Sequence, residues 1–138
     1  MADAVKTILV EETLDRYIVH LSNISDGTGE SAVIKVDKST LLAKDGAEPA
    51  SLDIESCRWN VQGFASVRIL WDHTTDDVAM AMSGSGYEEY ANPKVLSVGS
   101  ALDDPRSAGG AGDILLTTNG GASGSTYDIE LVLKKRPD

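Results

Sequence analysis

Residues 64–71, FASVRILW, alternate strictly: Ala65, Val67, Ile69 and Trp71 fall on one face, Phe64, Ser66, Arg68 and Leu70 on the other. That period of two belongs to a strand with one well-buried face. Six polar residues, DHTTDD (72–77), follow, and DVAMAMS (77–83) resumes the alternation through Val78, Met80 and Met82. Two strands joined by a short polar loop pair antiparallel. Phe64–Ser83 therefore reads as the central hairpin of an all-β domain.

The flanks supply further strands. Upstream, VKTILV (5–10) is a short apolar strand, and RYIVHLSN (16–23) sets Tyr17, Val19 and Leu21 on one face with His20 opposite. SAVIKVD (31–37) aligns Ala32, Ile34 and Val36. SLDIESCRWN (51–60) starts with Leu52 and Ile54 as its apolar set and then shifts phase to Cys57, Trp59 and Val61. A phase change inside a strand predicts a β-bulge or a crossing between sheets. Downstream, GDILLTT (112–118), the loop NGGASGS (119–125) and TYDIELVLKK (126–135) form a second hairpin, with Tyr127, Ile129, Leu131 and Leu133 aligned. Lys134, Lys135 and Arg136 read as a basic tail.

Between the hairpins, residues 84–112 mix Gly, Ser and Pro with isolated apolar side chains and read as one long irregular loop. Such a loop in a small domain is generally functional or ordered by a neighbour. No segment carries a helical period and no repeat of fixed length is present. The expectation is an antiparallel β-sandwich of about eight strands, with a jelly roll as one topology open to it. It spans 1–138 as a single domain, with residues 1–12 as an N-terminal arm.

Composition narrows the function classes. Twelve basic against 22 acidic residues give a net charge of −10, which repels phosphate backbones and disfavours a nucleic-acid partner. A single cysteine, Cys57, allows no internal disulfide and reads as a small buried apolar residue. The start MADAVKTILVEE carries acids early and too short an apolar run for a signal peptide, so a cytosol-like compartment is expected. No apolar stretch is long enough to span a membrane.

Chemistry is sparse. No serine lies in a GxSxG context, and Glu88 and Glu89, being adjacent, point to opposite faces of an extended segment. SGSGYEEY (83–90) and SAGGAGD (107–113) match no phosphate-cradling pattern. Asp26 and Glu30 lie in a loop, SDGTGES, whose spacing is not that of a calcium-binding helix–loop–helix. Asp72, Asp76 and Asp77 around His73 read as a solvated turn rather than a metal centre. The chain is expected to be neither an enzyme nor a holder of cofactors or metals.

The order of phrases adds a resemblance. RYIVHLSNISDGTGESAVIKVDKSTL, then a strand ending in LWD, an SGxG segment, GDILLTT and a Gly-containing loop before a Tyr-led last strand resemble small virion structural proteins of tailed bacteriophages. The resemblance covers about residues 14–135. It implies a capsid cement or decoration protein, made in the host cytoplasm and carried on the capsid surface. Its partners would be the major capsid protein and further copies of itself, with a trimer favoured. The interface residues expected on that basis are Val5, Ile8 and Val10 in the first strand and Tyr87, Tyr90, Pro93, Val95 and Leu96 in the long loop. Loop aromatics are favoured interface anchors. Two other roles compete: a neck or tail component forming rings, and a carbohydrate-binding module. The second needs exposed aromatic platforms, and Trp59 and Trp71 sit instead among apolar neighbours in strands.

Overall fold

A computed structural model describes residues 4–44, 46–89, 102 and 104–136. Nine strands follow in order: β1 (Ala4–Glu12), β2 (Arg16–Asp26), β3 (Val33–Val36), β4 (Ser51–Gln62), β5 (Ser66–Trp71), β6 (Asp77–Met82), β7 (Gly84–Glu89), β8 (Ile114–Asn119) and β9 (Ser123–Arg136). One 3-10 turn, Lys38–Thr40, lies between β3 and β4, with the Asp37 side chain accepting from the Ser39 N–H. The strands form a five-stranded sheet, β1-β2-β9-β4-β7, and a four-stranded sheet, β3-β8-β5-β6, every neighbouring pair antiparallel.

The pairing has a simple logic. β5 pairs with β6, β4 with β7, β3 with β8 and β2 with β9. The chain is thus one long antiparallel ribbon, doubled back at the β5–β6 hairpin and rolled so that successive pairs fall in alternate sheets. That is a jelly roll, with β1 added beside β2. The hairpin identified from residues 64–83 is the tip of the rolled ribbon.

The core lies between the sheets. Val19 and Leu21 of β2, Val67, Ile69 and Trp71 of β5, and Tyr127, Ile129, Leu131 and Leu133 of β9 are all buried, each on the face that its alternation predicts. The phase change in β4 is a bulge: Ile54 faces Leu133 and Ser56 faces Val132, leaving Glu55 as the extra residue. Leu52, Ile54, Cys57 and Val61 consequently all reach the core.

Elsewhere bulges overturn the simple alternation. In β6, Ile69 pairs with Met80 but Leu70 with Val78, so Ala79 is extra and Val78 is 53% exposed while Met80 and Met82 stay buried. In β3, Ile34 pairs with Leu115 and Val36 with Ile114, so Ile34 is not aligned with Val36 and is 54% exposed. The expected irregular span 84–112 begins instead with a strand, β7. The basic tail is also not a tail. Lys135 is buried in β9, where its Nζ donates to Glu12 Oε2 and to the Thr13 and Leu42 carbonyls, and Arg136 Nε pairs with Asp53 at 2.5 Å.

Cys57 is 1% exposed, and burial pushes its thiol up to about 12. At pH 8 only about one thiol in ten thousand is ionised, and the thiolate is the reactive form. Iodoacetamide labelling, followed by mass spectrometry, is expected to be at least about a hundredfold slower in the folded protein than in urea. Equal rates would show that the β4–β6 packing opens freely.

Candidate functional site

Among the described residues the five-stranded sheet has no further strand beyond β1 at one edge and β7 at the other, and the expected interface residues that are described are divided between these edges. Val5, Ile8 and Val10 lie on β1 and are 42%, 41% and 55% exposed; Tyr87 lies on β7 and is 58% exposed. Three strands separate the two edges, so at about 4.8 Å per step the two groups stand roughly 19 Å apart. They lie at opposite edges of the sheet. Tyr90, Pro93, Val95 and Leu96 fall outside the described residues.

The β7 edge is built on glycine. Gly86 pairs with Trp59, and a Cβ there would come within 2.5 Å of Trp59 Cζ2, so the indole lies directly over the bare backbone. Its Nε1 donates to the Ser83 carbonyl at 3.2 Å. An aromatic ring laid across a glycine in the neighbouring strand supplies the packing that the glycine lacks. Trp71 is 2% exposed and donates to the Leu52 carbonyl at 2.7 Å. Trp71 is thus enclosed in the core, and Trp59 is half-buried against its edge.

The β1 edge has a different character. Cross-strand partners share a face of the sheet. Val5, Thr7 and Leu9 sit opposite Asn23, Leu21 and Val19, which are buried, so they take the core-side face. Lys6 and Ile8 sit opposite Ser22 and His20 on the solvent side. The register then shifts between Leu9 and Glu11, which makes Val10 a bulge and puts Glu11 beside Ile18 and Glu12 beside Tyr17. The opposing sheet ends in the four-residue β3, and Val5 and Leu9 remain 42% and 49% exposed despite their core-side orientation.

A third cluster was missed by the sequence reading, which placed His73 in a solvated turn. His73 is in fact buried, at 8% exposure. Residues 104–113 lie over the β5–β6 turn, with Thr74 N donating to the Ala108 carbonyl, Gly112 N to the Asp72 carbonyl and Asp72 N to the Asp113 carbonyl. Gly110 (φ +68°) approaches so closely that a Cβ would stand 2.3 Å from the Asp72 carbonyl oxygen. This strap carries Asp104 to His73. Nε2 lies 2.7 Å from Asp104 Oδ1 and Nδ1 2.9 Å from the Gly109 carbonyl.

Behind Asp104 its own N–H donates to Asp53 Oδ1, and Asp53 is held by Arg136. The Arg106 N–H donates to Asp104 Oδ1 and its guanidinium to Ser51 Oγ. His73, Asp77 and Asp104 place three possible metal-ligating atoms within 4.8 Å of one another, but the 2.7 Å contact is a hydrogen bond and gives the cluster a structural account as an ion pair. No local spacing links residue 73 to residue 104. Only the rolled topology does.

No family model matches the chain, and a sequence search against curated proteins finds no match. The class established is therefore that of the fold, an all-β jelly-roll sandwich with an apolar extra strand at one edge.

Proposed function

We propose that this chain is a non-catalytic structural protein of a tailed-bacteriophage virion, a cement or decoration protein that binds the major capsid protein and stabilises the shell. One observation carries the reading. β1 is a nine-residue strand bonded, among the described residues, on one side only, with Val5, Ile8, Leu9 and Val10 all more than 40% exposed. A long apolar edge on an isolated domain invites uncontrolled association. In an assembly the same edge is a docking strand, and strand addition supplies main-chain hydrogen bonds with little demand on side-chain chemistry.

Two further points support the reading. Double-sheet jelly rolls are used in viral capsid proteins, although the fold alone assigns no function. A net charge of −10 favours solubility at the high local concentration of a particle surface. Repeated binding on a lattice turns modest single contacts into strong overall attachment. A ring-forming neck or tail subunit is the second reading, favoured by a sheet with two edges that no described strand covers.

Cryo-electron microscopy of virions whose genome encodes this chain is the test. Density for a nine-stranded sandwich on the shell exterior is expected. Density confined to the portal-to-tail axis would move the protein to the neck or tail, and absence from the particle would overturn the virion reading.

A further inference from the structure

The free edge of β1 is self-complementary, and we infer that its occupant is a second copy of this chain, paired antiparallel about a twofold axis through Ile8. The inference goes beyond the proposed function: it assigns the docking edge named there to a second copy of the chain, and as a closed twofold pair it replaces the trimer expected from the resemblance.

The argument is one of register. In an antiparallel pair, opposite residues share a face, and a slip of one residue reverses every side chain. On the solvent face β1 presents Lys6, Ile8 and Glu11; on the core-side face it presents Val5, Thr7, Leu9 and Glu12. Lys6 stands two residues before Ile8 and Glu11 three after it, and the bulge at Val10 absorbs the odd residue. A twofold axis at Ile8 therefore sets Lys6 of each copy opposite Glu11 of the other. Ile8 meets Ile8, and Thr7 meets Leu9. Without the bulge, Lys6 would face Val10.

The neighbouring registers that preserve the faces lack this match. Moving two residues one way sets Lys6 against Ile8, and two the other way sets Glu11 against Ile8. Neither Lys6 nor Glu11 forms an ion pair among the described residues, whereas Glu12 is engaged with Lys135 inside the chain. Opposite charges facing each other across a strand pair stabilise it and like charges oppose it, so charge pattern selects among registers. The joined assembly is one continuous ten-stranded sheet, with Leu9 of both copies beside the axis and Val5 of each copy facing Glu12 of the other.

Size-exclusion chromatography with light scattering, over a dilution series of the full chain, is expected to give a dimer in equilibrium with monomer. Lys6→Glu sets like charges against each other at both ends of the pair and weakens the dimer by about tenfold or more. Glu11→Lys does the same and serves as the second variant should the first fail to fold by circular dichroism. The double swap, Lys6→Glu with Glu11→Lys, restores the dimer. A monomer at every concentration, a trimer, or a double swap that fails to restore association overturns the inference. The two claims fail separately: a particle-bound protein that is monomeric in solution overturns this pairing alone, and a solution dimer absent from virions overturns the virion reading alone.

Discussion

Glu30→Ala is expected to cost about 3–5 kcal/mol of folding stability, the range for removing one partner from a buried ion pair. Glu30 sits at the end of the β2–β3 loop with its side chain 5% exposed, and the facing Lys35 side chain is 3% exposed, their charged atoms 2.5 Å apart. The other carboxylate oxygen accepts from Tyr127 Oη at 2.5 Å and from Asn23 Nδ2 at 2.8 Å. The Glu30 backbone is held as well, its N–H by Thr118 Oγ1 and its carbonyl by the Thr118 N–H.

Removing the carboxylate would leave a nearly buried ammonium without its counter-charge and take one acceptor each from Tyr127 Oη and Asn23 Nδ2. Those costs, not the attraction itself, make the effect large. For a domain of this size the loss corresponds to roughly 10–15 °C in midpoint temperature. Lys44→Ala is the control. Its pair with Asp15 is exposed on both sides, and a change within about 0.5 kcal/mol is expected. Urea titrations of both variants check the contrast. A Glu30→Ala loss no greater than the control's would show that water or rearrangement replaces the network, and Glu30→Ala combined with Lys35→Met should recover part of the loss.

The contrast between what was legible and what was not runs along one line. β2, β5 and β9 were legible because each keeps an unbroken period of two against a buried face, and the β4 bulge because both halves of the strand carry enough apolar residues to show the phase change. The β6 and β3 bulges were not. A single inserted residue, Ala79 or Lys35, leaves only one or two apolar positions beyond it, too few to reveal a shift.

β7 was hidden because its stability comes from Trp59 on the adjacent strand rather than from its own Gly-Ser-Gly residues. Lys135 looked like part of a tail because a lysine carries no local sign that backbone carbonyls from two other segments await it. Long-range polar pairing has no period. His73–Asp104 and Glu30–Lys35–Tyr127 exist because the ribbon is rolled, and a strand-by-strand reading does not contain the roll.

The stability of the protein is expected to fall as pH rises from about 6.5 into the alkaline range, and His73→Gln to remove that fall. A carbonyl and an ionised carboxylate can only accept hydrogen bonds. His73 has the Gly109 carbonyl at Nδ1 and Asp104 at Nε2, an arrangement that favours a proton on both ring nitrogens and so the imidazolium form. Burial alone would lower its pKa, but the hydrogen bonds to Asp104 and Gly109 and the charges of Asp104 and Asp77 outweigh burial and raise it above 6.5. A group whose folded pKa is raised contributes stability that is complete below its unfolded pKa and is lost as pH climbs through the folded one. Within that window the slope for one proton cannot exceed about 1.4 kcal/mol per pH unit.

The other charges around the cluster leave the sign unchanged. Burial raises the Asp113 carboxyl above its ordinary value of 3.8, a shift of the same sign as that of His73. Lys38, which borders the same cleft, is tied to the Pro49 carbonyl. Asp104→Asn keeps the shape and removes the charge opposite the ring; a cost of about 3 kcal/mol is expected near pH 6, shrinking toward pH 9 as the ring gives up its proton. Urea midpoints of the three proteins between pH 5.5 and 9.5, with an NMR titration of the His73 ring, decide the matter. A wild-type advantage over His73→Gln that is constant or grows with pH would mean that the ring is neutral in the folded protein, and that the proton between Nε2 and Asp104 belongs to the carboxyl.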